Sequence, residues 1–270
     1  DNSPVGVFDS GLGGLTAARK IRSILPSEDI IYFGDTARVP YGGRSREILL
    51  KYARQDVRFL RSFDIKAIVV ACGTVSTTCL PQLQAENDLP VLGVVEPACR
   101  RAVAVSKTRH VGLIATAASV RSGTYEQIIH ALDPDVTVTA RACPLFVPLV
   151  ENGRYERGDV VIETVAREYL EPIRGSGIDT LILGCTHYPL LMDLIGEIMG
   201  PEVTLIDTGE EAAWELKRTL KAKDLLSDRA QEGTTTLYAS DQPEDFGLMA
   251  KHFLQEELTS PVLQVNIDRY

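Results

Sequence analysis

The sequence predicts an α/β protein made of two similar units with mainly parallel sheets. Short apolar runs, typical of buried parallel strands, alternate along the chain with segments of helical spacing. Two of these runs end alike: Ile68–Ala71 leads into Cys72, and Leu181–Gly184 leads into Cys185. In open α/β sheets, ligands bind at the carboxyl ends of the strands. We therefore expect the two thiols to face one carbon atom from opposite sides.

The composition is typical of a soluble globular protein and argues against several classes of partner. The chain has 270 residues, of which 44% are apolar and 24% are charged. No apolar run approaches the roughly 20 residues that span a bilayer, and no secretory signal pattern opens the chain, so we expect a cytoplasmic protein without membrane contact. The net charge of −9 argues against nucleic-acid binding. The five cysteines include no C-x-x-C pair, which predicts free thiols and no metal site.

The first unit is predicted to open with a strand over Val5–Phe8, a glycine-rich turn over 9–15 and a helix over 16–24. A dinucleotide fingerprint would require glycine where Thr16 stands, so the turn is expected to cradle a carboxylate instead. The remaining strands of this unit are expected over residues 29–33, 66–70 and 90–95, the last closed by Glu96–Pro97. Its other helices are expected over 45–60 and 74–85, the second with a break near Pro81. The turn formers over 34–43 predict a binding loop.

The second unit is predicted to repeat this order. It begins with a helix over 98–106, and the run His110–Ser119 parallels the opening strand and turn. Its other strands are expected over residues 136–140, 181–183 and 203–206. A helix is expected over 160–170, whereas 143–153 is predicted to be an irregular loop.

The last quarter of the chain is predicted to return to the first unit. Asp207 and Thr208 have the pattern of a helix cap, and the helix that follows contains Trp214. Residues 222–233 are polar and without periodicity, as in a surface connection, and they precede a strand over 234–239 and a helix over 246–254. The predicted domains are therefore residues 1–97 with 208–270, and residues 98–207.

Six stretches resemble those of bacterial glutamate racemases, in the order found in the cofactor-independent aspartate/glutamate racemase family. They are Phe8–Leu15, Tyr32–Asp35, Val39–Gly42, Val70–Cys72, Glu151–Gly153 and Gly184–Leu190. The resemblance covers essentially the whole chain. It implies two pseudo-symmetric flavodoxin-like domains facing each other across a cleft, usually in a homodimer. It also implies interconversion of L- and D-glutamate without a cofactor, which supplies D-glutamate for peptidoglycan synthesis.

Inversion of an α-carbon without a cofactor requires two acid–base groups on opposite faces, one protonated and the other not. Cysteine suits this chemistry because its thiol pKa of about 8.5 is readily moved by its surroundings. The resemblance implies that Cys72 deprotonates D-glutamate and that Cys185 deprotonates L-glutamate. It further implies that Asp9 assists Cys72, and that Glu151 and His187 assist Cys185.

Backbone N–H groups, hydroxyls and loop residues are implied to hold the substrate. These residues are Ser10, Pro40, Tyr41, Gly42, Gly73, Thr74, Thr116 and Thr186. The family usually has asparagine after its first cysteine, where this chain has Gly73. Since that amide helps to hold the amino acid, a racemase of aspartate or another small acid is an alternative function. A second alternative is a binding or regulatory relative without turnover, because some family members bind DNA gyrase.

The same residue types also have simpler interpretations. Without the resemblance, Asp9 could cap the helix after it, His187 could be a packed histidine and Glu151 a solvated charge. The other three cysteines, Cys79, Cys99 and Cys143, are predicted to be core thiols. Several arginines are predicted to be surface charges: Arg38, Arg44, Arg54, Arg58 and Arg61.

Overall fold

The computed structural model describes residues 1–270 and contains two parallel β-sheets. Its strands are β1 (Val5–Asp9), β2 (Ile30–Gly34), β3 (Ala67–Val70), β4 (Val91–Gly93), β5 (His110–Ala115), β6 (Thr137–Ala142), β7 (Thr180–Leu183), β8 (Thr204–Asp207), β9 (Thr235–Ala239) and β10 (Leu263–Gln264). Its helices are α1 (Leu15–Ile24), α2 (Arg46–Leu60), α3 (Gly73–Thr78), α4 (Leu80–Ala85), α5 (Val95–Val105), α6 (Ala117–Ser122), α7 (Thr124–Leu132), α8 (Phe146–Glu151), α9 (Val160–Arg174), α10 (Met192–Met199), α11 (Thr208–Ala222) and α12 (Pro243–Leu254). Short 3₁₀ turns cover Thr36–Arg38, Tyr188–Leu191 and Ile267–Arg269. The predicted α/β class is confirmed.

The two sheets place β1 and β3 in positions equivalent to those of β5 and β7. The first sheet has the order β10-β9-β2-β1-β3-β4, and the second has the order β6-β5-β7-β8. Phe8 of β1 lies opposite Val70 of β3, and Leu113 of β5 lies opposite Ile182 of β7. The carboxyl ends of the two central strands therefore lie side by side at the same edge of each sheet. Strand β9 pairs with β2, so the chain does return to the first sheet; the exact domain boundaries remain a prediction.

The central strands are apolar because they are buried on both faces. Every residue of β1, β3 and β7 is buried, as expected for parallel strands covered by helices on each side. Asp207 caps α11 as predicted, since its Oδ1 accepts hydrogen bonds from the N–H groups of Gly209 (2.9 Å) and Glu210 (3.2 Å). The predicted break near Pro81 is also confirmed, because α3 ends at Thr78 and α4 begins at Leu80.

The prediction of a strand over 90–95 was partly wrong. Strand β4 stops at Gly93, and α5 begins at Val95 with Glu96 and Pro97 in its first turn. Proline is tolerated there because the N–H that it lacks would have no partner within the helix. Glu96–Pro97 therefore begins a helix and does not close a strand.

The prediction of an irregular loop over 143–153 was wrong. The segment contains α8, whose buried side chains Phe146 and Val150 are one helical turn apart. Pro148 lies in the first turn, where it costs no hydrogen bond. Three further short helices, α6, α7 and α10, had no predicted counterpart.

Of the three apolar clusters in the protein, the largest joins the two sheets. The largest cluster contains 40 buried residues and draws on both sheets, with Val69 of β3 and Leu183 of β7 among its members. Helix α11 packs against both α1 and α5, so it lies where the two halves meet. None of the helices has the length and apolar character needed to cross a membrane.

Candidate active site

The carboxyl ends of β3 and β7 approach each other where the two halves meet. Cys72 and Gly73 follow β3, and Gly184 and Cys185 follow β7. A Cβ atom added to Gly73 would lie 3.4 Å from the carbonyl oxygen of Gly184 and 3.9 Å from Oγ of Ser119. These are ordinary contact distances. The two cysteine-bearing loops therefore approach each other closely, as the matching strand ends predicted.

A cavity of about 460 Å³ lies between the two halves and is lined by 26 residues. All five predicted catalytic residues and all eight predicted substrate contacts line it: Asp9, Ser10, Pro40, Tyr41, Gly42, Cys72, Gly73, Thr74, Thr116, Glu151, Cys185, Thr186 and His187. The volume falls within the usual range for small-molecule sites. The structure thus brings the predicted residues together, whereas their individual roles remain predictions.

Other lining residues had no predicted role: Gly11, Leu12, Val39, Gly43, Ala117, Ala118, Ser119, Arg121, Cys143, Pro144, Val147, Pro148 and Gly184. Most of them are next to predicted site residues in the sequence, and this adjacency is the feature from which they could have been predicted. Arg121, Cys143 and Val147 lie at the cavity because α6 and the start of α8 pack beside it. Cys143 is fully buried, as predicted, but it also lines the cavity.

Cys72 occupies an environment that favours the neutral thiol. Its side chain is buried, and burial together with the nearby carboxyl group of Asp9 raises the pKa of the thiol to about 12. Oδ2 of Asp9 accepts hydrogen bonds from the backbone N–H groups of Gly14 (2.9 Å) and Gly11 (3.1 Å). Burial raises the pKa of Asp9 as well, although these hydrogen bonds and His187 oppose the effect. Near neutral pH, Cys72 therefore holds its proton.

Cys185 lies beside a histidine that carries positive charge. Its Sγ lies 3.8 Å from Nδ1 of His187, and Nε2 of His187 lies 2.8 Å from Oε1 of Glu151. Burial alone would lower the pKa of His187, but the hydrogen bonds and negative charges of Cys185 and Glu151 raise it to about 10. The imidazolium then donates one hydrogen bond to the sulfur atom and one to the carboxylate. The site therefore combines the neutral thiol of Cys72 on one side with a sulfur–imidazolium–carboxylate chain, formed by Cys185, His187 and Glu151, on the other.

The pH dependence of folding should report the charged His187. Its pKa is about 10 in the folded protein against an ordinary 6.5, so the native state binds this proton more tightly than the unfolded chain does. The resulting stabilisation is complete below pH 6.5 and is lost as pH rises through 10. In denaturant titrations across this range, the free energy of unfolding should fall less with rising pH for His187→Gln than for the wild type. The exposed His130 provides the control, since His130→Gln should keep the wild-type slope; parallel curves for all three proteins would contradict the charged imidazole.

Gly13 allows the first half to approach the Cys185–His187 loop of the second half. A Cβ atom at Gly13 would lie 2.2 Å from Oγ1 of Thr186 and 2.5 Å from Nδ1 of His187. The neighbouring Thr16 reinforces this contact, because its hydroxyl donates a hydrogen bond to the carbonyl oxygen of Thr186 (2.8 Å). Only glycine fits at position 13 without moving His187.

Gly13→Ala is expected to displace His187 from Cys185 and to impair catalysis. The overpacked side chain should destabilise the fold by about 1–3 kcal/mol and should lower kcat by on the order of 100-fold, since a misplacement of about 1 Å has effects of that size. Gly196→Ala is the control, because its added Cβ would meet nothing closer than 3.7 Å. Unchanged kcat in Gly13→Ala, measured together with its free energy of unfolding, would show that this contact does not position His187.

A buried network supports the loop that carries Pro40, Tyr41 and Gly42. The hydroxyl of Tyr41 donates to the carboxylates of Asp35 and Asp56, the latter at 3.1 Å. Arg38 donates to Asp35 (2.6 Å) and to Asp56 (2.9 Å), and its side chain is only 11% exposed. The prediction of a surface charge at Arg38 was therefore wrong. Burial and the nearby Asp35 raise the pKa of Asp56, and Oδ1 of Asp35 accepts a further hydrogen bond from Ser240 (2.9 Å).

The remaining predicted surface arginines do lie at the surface, since Arg44, Arg58 and Arg61 are exposed and Arg54 is half-buried. Arg54 and Arg61 form exposed ion pairs with Glu86 and Asp88, which agrees with a solvated helix face.

No group of three or more histidine, cysteine, aspartate or glutamate side chains is arranged to hold a metal ion.

Known proteins share this sequence and this fold over nearly their whole length. Residues 18–216 match the family described as Asp/Glu/Hydantoin racemase. A glutamate racemase of Geobacter metallireducens is 46% identical over 264 residues, which cover 98% of this chain and 97% of that protein. A glutamate racemase isoform from Bacillus anthracis has a structure that superposes with a TM-score of 0.92 at 38% identity, covering 98% of this chain and 97% of that one. The glutamate racemase of Francisella tularensis, solved with D-glutamate, gives a TM-score of 0.89 at 38% identity and covers 100% and 99% of the two chains. The chain belongs to the Asp/Glu/Hydantoin racemase family.

Proposed function

We propose that this protein is a glutamate racemase that interconverts L- and D-glutamate by a two-base mechanism without a cofactor. The observation that carries the proposal is the placement of Cys72 and Cys185 at equivalent strand ends of two sheets, on one cavity. The two sulfur atoms also differ in their surroundings, as an acid and a base acting together must. Relatives named glutamate racemase, at 46% identity and below over nearly the whole chain, favour glutamate over aspartate as substrate.

In the L-to-D direction, the sulfur of Cys185 removes the α-proton of L-glutamate as a thiolate. The C–H electron pair stays on the α-carbon and is delocalised into the adjacent carboxylate. Cys72 then gives its thiol proton to the opposite face, which forms the new C–H bond of D-glutamate. Cys185 ends as a thiol and Cys72 as a thiolate, so the enzyme is left ready for the D-to-L direction. His187, held by Glu151, stabilises the thiolate of Cys185, and Asp9 assists proton transfer at Cys72.

The carbanion-like transition state requires hydrogen-bond donors at the α-carboxylate. The backbone N–H groups of Gly73 and Thr186 and the hydroxyls of Ser10, Thr74 and Thr116 are the donors that we assign to the two substrate carboxylates. Donors fixed by the fold before the substrate binds are effective because they need no reorganisation during the reaction. Pro40, Tyr41 and Gly42 form the loop that covers the bound amino acid.

The test is to incubate purified protein with L-glutamate in deuterated buffer, with nothing else added. Circular dichroism should show loss of optical activity, and NMR should show deuterium replacing the α-hydrogen in step with it. Aspartate in place of glutamate tests the alternative substrate. If the protein racemises aspartate but not glutamate, aspartate is the substrate and the proposal of glutamate is wrong. Tight binding of glutamate without exchange of its α-hydrogen would favour a binding or regulatory relative.

The cellular role follows from this activity. D-Glutamate formed by the enzyme would supply peptidoglycan synthesis, and the location proposed is the cytoplasm. The free state of all five cysteines supports a reducing compartment. We also propose a homodimer, which light scattering on the purified protein tests: a monomer mass at micromolar concentration would exclude it.

A further inference from the structure

The cavity is lined by one permanently cationic side chain. Arg121 is the only lysine or arginine among the 26 lining residues, which include the carboxyl groups of Asp9 and Glu151. Arg100 and Arg109, on neighbouring elements, each pair with an acidic side chain. Arg121 forms no ion pair or hydrogen bond with any residue of the chain, and it is exposed. Its charge is therefore available to a ligand.

The placement of Arg121 puts its charge at the mouth of the cavity. Arg121 follows Ala117 by four residues and Ala118 by three on α6, so it lies on the same helix face as these two alanines, and all three residues line the cavity. A Cβ atom at Gly42 would lie 3.7 Å from Cβ of Ala118, so this face meets the loop that covers the site. Arg121 is one turn farther along and exposed, whereas Cys72, which also lines the cavity, is buried.

The charge of the substrate explains why a cation is needed there. Glutamate at neutral pH carries two carboxylates and one ammonium group, and it must enter a cavity that already contains Asp9 and Glu151, in a protein of net charge −9. A cation at the rim of such a cleft attracts anions and raises their rate of association. The α-carbon has to lie between the buried thiols, which leaves the side-chain carboxylate, three bonds away, free to extend towards the mouth.

We propose that Arg121 is a specificity-determining residue that attracts the dicarboxylate substrate and binds its side-chain carboxylate at the mouth of the cavity. This inference rests on the proposed racemase function. It assigns substrate capture to a side chain outside the proton-transfer groups, and it predicts an effect on KM and on salt dependence with little effect on kcat.

The test compares wild type, Arg121→Gln and Arg121→Lys in steady-state racemisation at low and at high salt. Arg121→Gln should lower kcat/KM about tenfold at low salt, as loss of electrostatic steering does, through a higher KM with kcat nearly unchanged. Its kcat/KM should also vary less with salt than that of the wild type, because salt screens the attraction that Arg121 provides. Arg121→Lys keeps the charge and should retain most of the wild-type kcat/KM.

The matched control is Arg19→Gln, which removes the same charge from an exposed position of α1 outside the cavity. It should behave as the wild type does, and equal thermal unfolding temperatures should show that all variants fold. An Arg121→Gln variant with wild-type KM and wild-type salt dependence would overturn the inference, as would a loss confined to kcat.

Calorimetry with D-glutamate separates this inference from the proposed function. If the wild type binds D-glutamate but does not racemise it, the racemase function fails, and weaker, less salt-dependent binding by Arg121→Gln still supports the role of Arg121. If the wild type racemises glutamate and both proteins bind D-glutamate equally, the role of Arg121 fails alone.

Discussion

Cys72→Ala and Cys185→Ala are each expected to lower kcat for racemisation by a factor of about 10²–10⁴ in both directions, the usual contribution of a positioned acid or base. Each variant retains one of the two proton-transferring sulfur atoms, so it keeps such a group on one face of the α-carbon only. Inversion needs both faces, whereas exchange of the α-hydrogen with solvent needs one. Cys72→Ala should therefore still exchange the α-hydrogen of L-glutamate, and Cys185→Ala that of D-glutamate.

NMR of each enantiomer in deuterated buffer measures this one-sided exchange. Cys99→Ala is the control, because Cys99 is a fully buried thiol that does not line the cavity; its kcat should stay near the wild-type value. Wild-type racemisation by either active-site variant would exclude that sulfur as a proton-transfer group. Exchange by Cys72→Ala of D-glutamate alone would reverse the assignment of the two faces.

Arg38→Met is expected to lower the free energy of unfolding by about 3–5 kcal/mol, as removal of one partner of a buried ion pair does. Methionine preserves much of the side-chain volume but leaves the carboxyl groups of Asp35 and Asp56, both fully buried, without their cation. Tyr41 hydrogen-bonds to the same two carboxyl groups, so the loop over the cavity should also loosen and KM should rise.

Urea titration measures the stability change, and its pH dependence checks the cause. Burial already raises the pKa of Asp56. Without Arg38, the pKa of Asp56 in the folded protein should rise further. The extra loss of stability should be small at acid pH, because Asp56 is then protonated in the unfolded chain as well. It should grow as pH rises, because the unfolded chain then releases a proton that the folded protein retains. Arg54→Met removes a solvent-accessible arginine from α2, the helix that contributes Asp56, and should leave stability almost unchanged. Equal stability of Arg38→Met and wild type would show that the network does not support the loop.

The parts of the fold that could be predicted are those that depend on local pattern. Strands β1, β3 and β7 were predicted correctly because burial on both faces requires continuous apolar runs. The cap at Asp207 was predicted correctly because a carboxylate just before a helix can accept hydrogen bonds from the N–H groups of the first turn. The short helix α8 was missed because Pro144 and Pro148 are typical of loops, and because its apolar spacing covers little more than one turn.

The two cysteines were found through motifs at strand ends, where topology brings distant segments together, and the other site residues were found through the family resemblance. Arg38 and Arg121 were not, for opposite reasons. Asp35, three residues before Arg38, is a local partner, but the burial of Arg38 also depends on Asp56, which α2 contributes and which the local sequence does not indicate. Arg121 lines the cavity only because α6 packs beside the loop of the other half, and that contact is set by the arrangement of the two sheets.

Helix α11 packs against α1 and α5, and this has a consequence for the opening of the enzyme. The chain passes between the two sheets twice, after Gly93 and after Asp207, and the helices that begin at these crossings lie side by side. A single crossing would permit twisting in any direction, whereas two neighbouring crossings define a hinge line. We therefore expect the cavity to open for substrate and product by a hinge rotation of one half relative to the other about the α5–α11 pair.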